Sequence, residues 1–214
     1  MVTYVIMALC VLVFAAQLLL PNNAVENALA YAPFTTEAEP WRMLTSAFLH
    51  STGFLLHIVF NMYALWILGR VLEPVLGTAR YIFLYLLSAF GGSVGVLLIA
   101  PVGTEVVGAS GAIFGLFGAL FVIQRQRGGD VRQIVVLLVI NAVLGFTVPG
   151  IAWQAHLGGL VTGTLTAVVM AYAPQGPRRS AVQWGGAAVI LALLVAATVV
   201  RTGMIHSLTV QYGW

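Results

Sequence analysis

The sequence contains no lysine, and its basic charge is carried by nine arginines alone. Charged residues of either sign make up only 7% of the 214, against about a quarter in a soluble domain, so the chain cannot cover a water-facing surface. A single cysteine, Cys10, excludes an internal disulfide framework and a cysteine-built metal site. The pI is about 9.4, yet a hydrophobic fraction of 61% excludes both disorder and a nucleic-acid-binding domain. Strand-like alternation is missing, and the apolar runs are too long for barrel strands, which leaves helices as the spanning structure. What the sequence does hold is a series of long, charge-free apolar runs. They predict an all-α, polytopic membrane protein.

A spanning helix needs about 20 mostly apolar residues. The windows that qualify are Val2 to Leu20, Phe54 to Leu68 (ending at Gly69-Arg70), Tyr81 to Ala100 and Val106 to Gln124. The charge-free stretch from Gln133 to Pro177 is long enough for two helices, divided at Val148-Pro149-Gly150, and Ser180 to Val200 is the last. The expectation is a bundle of seven transmembrane helices. Ala28-Leu29-Ala30 resembles a signal cleavage site, but the first run lacks a charged leading region and is longer than a signal's apolar stretch, so it reads as a helix of the mature protein.

Orientation follows from the arginines. Arg70, Arg80, Arg125, Arg127, Arg132, Arg178 and Arg179 fall in the even-numbered connections, while the odd ones and the C-terminus hold Arg42 and Arg201 with Glu26, Glu37, Glu39 and Glu105. The arginine-rich side is cytoplasmic, which puts the N-terminus inside and the C-terminus outside. The long first connection, Pro21 to Gly53, mixes Phe34, Trp41, Phe48 and Leu49 with polar groups, as suits a segment in the membrane interface, with Arg42 anchoring it there. The other connections are short, no separate soluble domain is expected, and 23 glycines favour close helix packing.

Polar side chains inside such spans are rare because they are expensive in lipid. His57 and Asn61 in the second span, Ser110 in the fourth and His156 in the sixth all lie near the point where their helix enters from the outer side, hence at one depth. A serine near a helix N-terminus has free backbone N–H groups beside it that can hold an oxyanion, and a histidine in reach can take its proton. His156 is placed to do so. Asp130 and Glu73 lie on the opposite side, so the pair has no carboxylate third member. His57 and Asn61 share a helix face and can donate to one oxygen. Each residue also has a plainer reading: Ser110 among glycines as a tight helix crossing, His156 bonded to a carbonyl, His57 and Asn61 as interhelical glue, Gly159 and Gly163 as packing. His50 and His206 read as outside or near the surface and receive no role; nor does Asn141.

Taken together, Trp41-Arg42, His57-Ile58-Val59-Phe60-Asn61, Gly108-Ala109-Ser110-Gly111 and Ala155-His156 with Gly159 and Gly163 resemble the rhomboid family of intramembrane serine proteases. The resemblance runs from Trp41 to about Gly163. It implies Ser110 as nucleophile, His156 as general base, and an oxyanion hole of His57, Asn61 and the Ser110 N–H, with Gly108 beside them. Phe114 matches an aromatic position that packs on the catalytic histidine; it is Tyr in some members, and the hydroxyl is missing here. Gly159 and Gly163 would hold the sixth helix against the fourth. Residues 1–173 would form the six-helix core, and 174–214 a cytoplasmic connection, a seventh helix and a short outer tail.

The resemblance further implies a multi-pass protein of a bacterial plasma membrane whose site faces outside and whose partners are the bilayer and single-span membrane proteins, cut near the outer end of their helix. No metal, cofactor or nucleic acid is implied. Because peptide hydrolysis needs water, a polar cavity lined by His57, Asn61, Ser110 and His156 is expected at the outer end. A non-catalytic rhomboid-like helix binder would lack Ser110 or His156. A small transporter would spread its ionisable groups through the membrane depth.

Overall fold

The apolar runs do become helices in the computed structural model, which describes residues 1–148 and 150–212, with side chains described through Ser207. Among the described residues seven long helices follow one another: α1 Val2–Leu19, α2 Leu56–Leu76, α3 Thr78–Ile99, α4 Ser110–Gln126, α5 Arg132–Thr147, α6 Trp153–Tyr172 and α7 Arg179–Tyr212. Five of them, α1, α2, α3, α6 and α7, are long and apolar enough to cross a membrane. The 17 residues of α4 and 16 of α5 are shorter than that. Pro149, at the expected break between α5 and α6, lies outside the described residues; the turn beside it contains Gly150 at φ 83°.

Three boundaries depart from the sequence reading. The second helix does not stop at Gly69-Arg70 but runs to Leu76, through Pro74. A Cβ at Gly69 would collide with Thr3, so this glycine admits α1 instead of ending α2. One turn on, the Glu73 carboxylate accepts bonds from the Val2 amide (2.7 Å), the Thr3 amide (3.0 Å) and the Thr3 hydroxyl (2.7 Å). It thus serves the otherwise orphaned N–H groups at the start of α1, a cap supplied from another helix. The fourth helix begins at Ser110 rather than Val106, and the last runs on to Tyr212 rather than ending near Val200.

The core is built around close helix contacts. Helix α6 lies against both α3 and α4: a Cβ on Gly158 would strike the Gly91 carbonyl, one on Gly159 the Gly111 carbonyl, and one on Gly163 the backbone of Gly115. Backbones can approach this closely only where side chains are absent, which is how membrane helices gain van der Waals contact without a hydrophobic driving force. Much of the outer surface of α1, α5 and α7 is exposed Val, Leu and Ile.

The first connection folds into short helical pieces, Ala24–Leu29, Pro33–Thr35, Arg42–Thr45 and Ser46–Phe48. Arg42 ties them together: its guanidinium donates to the carbonyls of Ala30 (3.0 Å) and Asn27 (2.6 Å) and pairs with Glu39 (2.7 Å). It holds the connection's own backbone. Tyr31 and Met43 then pack with Val94, Leu97 and Val106, seating the connection on α3.

Candidate active site

The site begins where the chain enters α4. Val106 and Tyr31 form an antiparallel bridge (Val106 N–H to Tyr31 O, 2.8 Å; Tyr31 N–H to Val106 O, 3.3 Å), which keeps this stretch extended. The Gly108 amide then donates to Ser46 O at 2.9 Å, and its φ of 126° belongs to a region side chains avoid. The helix can start only after that turn, so Ser110 is its first residue. The carbonyl that would accept the Ser110 N–H inside a longer helix is that of Val106, already bonded to Tyr31. The first-turn amides of α4 are therefore without intrahelical acceptors, beside the Ser110 hydroxyl.

Helix α6 brings the second group. His156 Nε2 lies 2.9 Å from Ser110 Oγ, a hydrogen bond between residues far apart in sequence, set by the glycine contacts of α6 with α4. Phe114, one turn beyond Ser110, stacks on the imidazole with ring centroids 4.1 Å apart and planes 9° from parallel. His156 Nδ1 is buried and, among the described residues, has no hydrogen-bond partner. The two carboxylates nearest the other end are occupied elsewhere, Glu73 at the start of α1 and Asp130 on the Arg132 amide. Among the described residues the arrangement offers a serine and a histidine without a carboxylate.

Helix α2 brings the third. His57 Nδ1 accepts a hydrogen bond from the Ser51 amide at 3.1 Å, so a neutral imidazole carries its proton on Nε2. That nitrogen borders Gly108: a Cβ there would lie 2.8 Å from both Cε1 and Nε2 of His57, and 3.8 Å from Ser110 Oγ. The donor and the hydroxyl thus flank one point of the backbone. Asn61 is buried, but its side-chain amide donates to the His57 carbonyl at 2.7 Å, within its own helix. One amide hydrogen is used there.

The structure thus gathers Ser110, His156, Phe114, Gly108 and His57, places Asn61 one turn below, and puts Gly159 and Gly163 in the helix contact beneath. Arg42 acts in the connection above. Asn141 bonds the Leu137 carbonyl of its own helix, and His206 meets Glu37 at 3.0 Å near the surface. His50 departs from the sequence reading. It is fully buried, with its ring 5.3 Å from that of His57. Burial, and then the neighbouring His57, push its pKa down to about 4. Its backbone is clasped by Gln17, which donates to His50 O (2.9 Å) and accepts from His50 N–H (3.0 Å). Only a fold that lays the connection under α1 could reveal this, as could the Ser51 contact. Two surface cavities, of about 650 and 240 Å³, open elsewhere, and neither is lined by the four polar residues expected to line one.

The Rhomboid domain profile matches residues 37–173. The chain is 33% identical over 183 residues to the rhomboid protease GluP of Bacillus subtilis, covering 78% of this chain and 34% of that protein. It is 35% identical over 147 residues to RHOMBOID-like protein 5 of Arabidopsis thaliana (65% and 47%), and 32% identical over 174 residues to the rhomboid protease GlpG of Yersinia pestis (77% and 61%). The chain spans about a third to a half of the length of the first two relatives.

Proposed function

The chain belongs to the rhomboid family of integral membrane proteins, and from that premise we propose that it is a serine endopeptidase acting on transmembrane segments, with Ser110 and His156 as its catalytic dyad. The observation that carries the reading is the 2.9 Å contact between His156 Nε2 and Ser110 Oγ at the free N-terminus of a helix, with Phe114 stacked on the imidazole.

In the proposed reaction Ser110 Oγ attacks the scissile carbonyl carbon while His156 Nε2 takes its proton. The carbonyl oxygen becomes an anion beside the Ser110 N–H and the Nε2–H of His57, donors whose positions are set before the reaction; each such donor is worth about 10² to 10³ in rate. Collapse of the intermediate breaks the C–N bond, and His156 returns the proton to the leaving amine. Water, deprotonated by the same histidine, then releases the acyl group from Ser110. Phe114 and the helix contacts orient the imidazole, the task a carboxylate performs in a triad.

We read all seven long helices as spans of a plasma membrane of bacterial type, with the ends of α2, α4 and α6 that lead into the arginine-bearing connections inside and the dyad toward the outside, below the surface. Residues 1–173 are the catalytic core, and 174–214 an added helix. A substrate helix must enter from the side and unwind locally. Helix α5, which among its described residues buries only Ile134 and Gly145, is the element we assign to yield. Incubating the purified chain in liposomes with tagged single-span proteins, beside Ser110→Ala, tests the proposal. Cleavage that is lost in the variant is expected; equal cleavage by the variant overturns it.

A further inference from the structure

At the end of the bundle opposite the dyad, α2, α3, α4, α6 and α7 meet around a cavity of about 240 Å³. Three guanidinium groups line it, Arg80 from α3, Arg127 just past α4 and Arg179 at the start of α7, and no carboxylate does. Among the described residues the ion pairs are Arg42–Glu39 and His206–Glu37, both remote from it. Arg80 is half-buried and Arg127 and Arg179 are exposed, and like charges gathered at one cavity without a counter-ion repel one another.

Two of the groups are nonetheless held in place. Arg80 Nε donates to Gln183 Oε1 (2.9 Å), and Gln183, buried, donates in turn to Met170 O (2.8 Å), which fixes one edge of the Arg80 guanidinium. Arg179 rests on Gln175 Oε1 at 3.1 Å, and the Arg127 side chain bonds nothing among the described residues. Beside the charges the lining also carries Val75, Leu76 and Ala171, with Ile123 and Met170 buried in its wall. Cationic donors beside the apolar residues of membrane-spanning helices match a phosphate attached to an acyl glycerol.

We propose that this cavity binds a phosphate-bearing anion, presented by the headgroup of an anionic phospholipid in the cytoplasmic leaflet. The source rests on the membrane placement proposed above but not on the protease chemistry. The bound phosphate would bridge Arg80 and Arg127 of the core to Arg179 of α7, joining the added helix to the rest.

The test is native mass spectrometry of the purified full chain with phosphatidylglycerol or phosphatidylcholine of equal acyl length, and in a separate arm with inorganic phosphate alone. The wild-type chain should retain phosphatidylglycerol in preference. Each arginine near a membrane contributes about fivefold to anionic-lipid affinity, so replacing Arg80, Arg127 and Arg179 together by Gln should weaken retention about a hundredfold. The charge-matched control, Arg70, Arg125 and Arg178 to Gln, none of which lines the cavity, should keep most of it. Inorganic phosphate that displaces the lipid at millimolar concentration would support the anion site and assign it to a soluble ligand. Equal losses in the two triple variants, or no preference for phosphatidylglycerol, would overturn the proposal. If the cavity triple variant fails to purify, Arg127→Gln alone carries the test at about a fivefold loss.

Discussion

Gly108 offers a way to disturb the oxyanion donor without touching either dyad residue. In Gly108→Ala the new Cβ would sit 2.8 Å from Cε1 and Nε2 of His57, where ordinary contact begins near 3.4 Å, so the imidazole must retreat by about 0.6 Å or the turn must open. A misplacement approaching 1 Å costs about 10²-fold in rate, and full loss of one oxyanion donor about 10² to 10³-fold. The variant is therefore expected to lose about 10 to 10²-fold in kcat with a smaller change in KM. Holding a side chain at φ 126° adds about 1–3 kcal/mol of strain, seen as a lower melting temperature. The assay is turnover of a fluorogenic transmembrane substrate in liposomes, with His57→Ala and the double variant alongside. If Gly108 acts through His57, the double variant is no slower than His57→Ala alone. Losses that multiply, or a folded Gly108→Ala at the wild-type rate, would refute the placement of His57 at the reacting carbonyl.

Ser110→Ala and His156→Ala should each abolish proteolysis, and the double variant should be scarcely worse than either single one in the same assay. Gly163→Ala forces a methyl into the Gly115 backbone and should destabilise the bundle by about 1–3 kcal/mol, read as a drop in melting temperature, whereas Gly185→Ala meets open space and should not. His50 predicts a pH dependence of stability. Its folded pKa of about 4 lies below its ordinary value, so the unfolded chain binds the extra proton; the full contribution is present above about pH 6.5 and is lost as pH falls toward 4, amounting to about 3 kcal/mol. His50→Leu should flatten that part of the melting-temperature profile between pH 7.5 and 4. Mass-spectrometric mapping should place the cut near the outer end of the substrate helix, and Leu in place of a helix-weakening Gly there should slow it, since Gly lowers the cost of unwinding by about 1 kcal/mol relative to Ala; a cut at the cytoplasmic end would contradict the topology.

The apolar runs by themselves determined that the chain is a bundle of long helices, because in lipid a backbone must satisfy its own hydrogen bonds and few structures do. Composition likewise singled out Ser110, His156, His57 and Asn61, since polar groups are costly there and stand out against 61% hydrophobic residues. Helix ends were less legible. Gly69 reads locally as a stop but is the gap that admits Thr3, and Val106 reads as helix but is taken by Tyr31, far away in sequence. That long-range bridge, with the turn at Gly108, is what makes Ser110 the first residue of its helix and leaves the amides beside it free. The 2.9 Å contact with His156 depends on glycines of α4 and α6 meeting face to face, and the tautomer of His57 on an amide in the loop before it. His50 reads as a surface residue because only the packing of the first connection beneath α1 buries it. Periodicity and polarity are local properties that a single sequence displays, whereas helix starts, proton positions and burial are set by groups that meet only when the chain has folded.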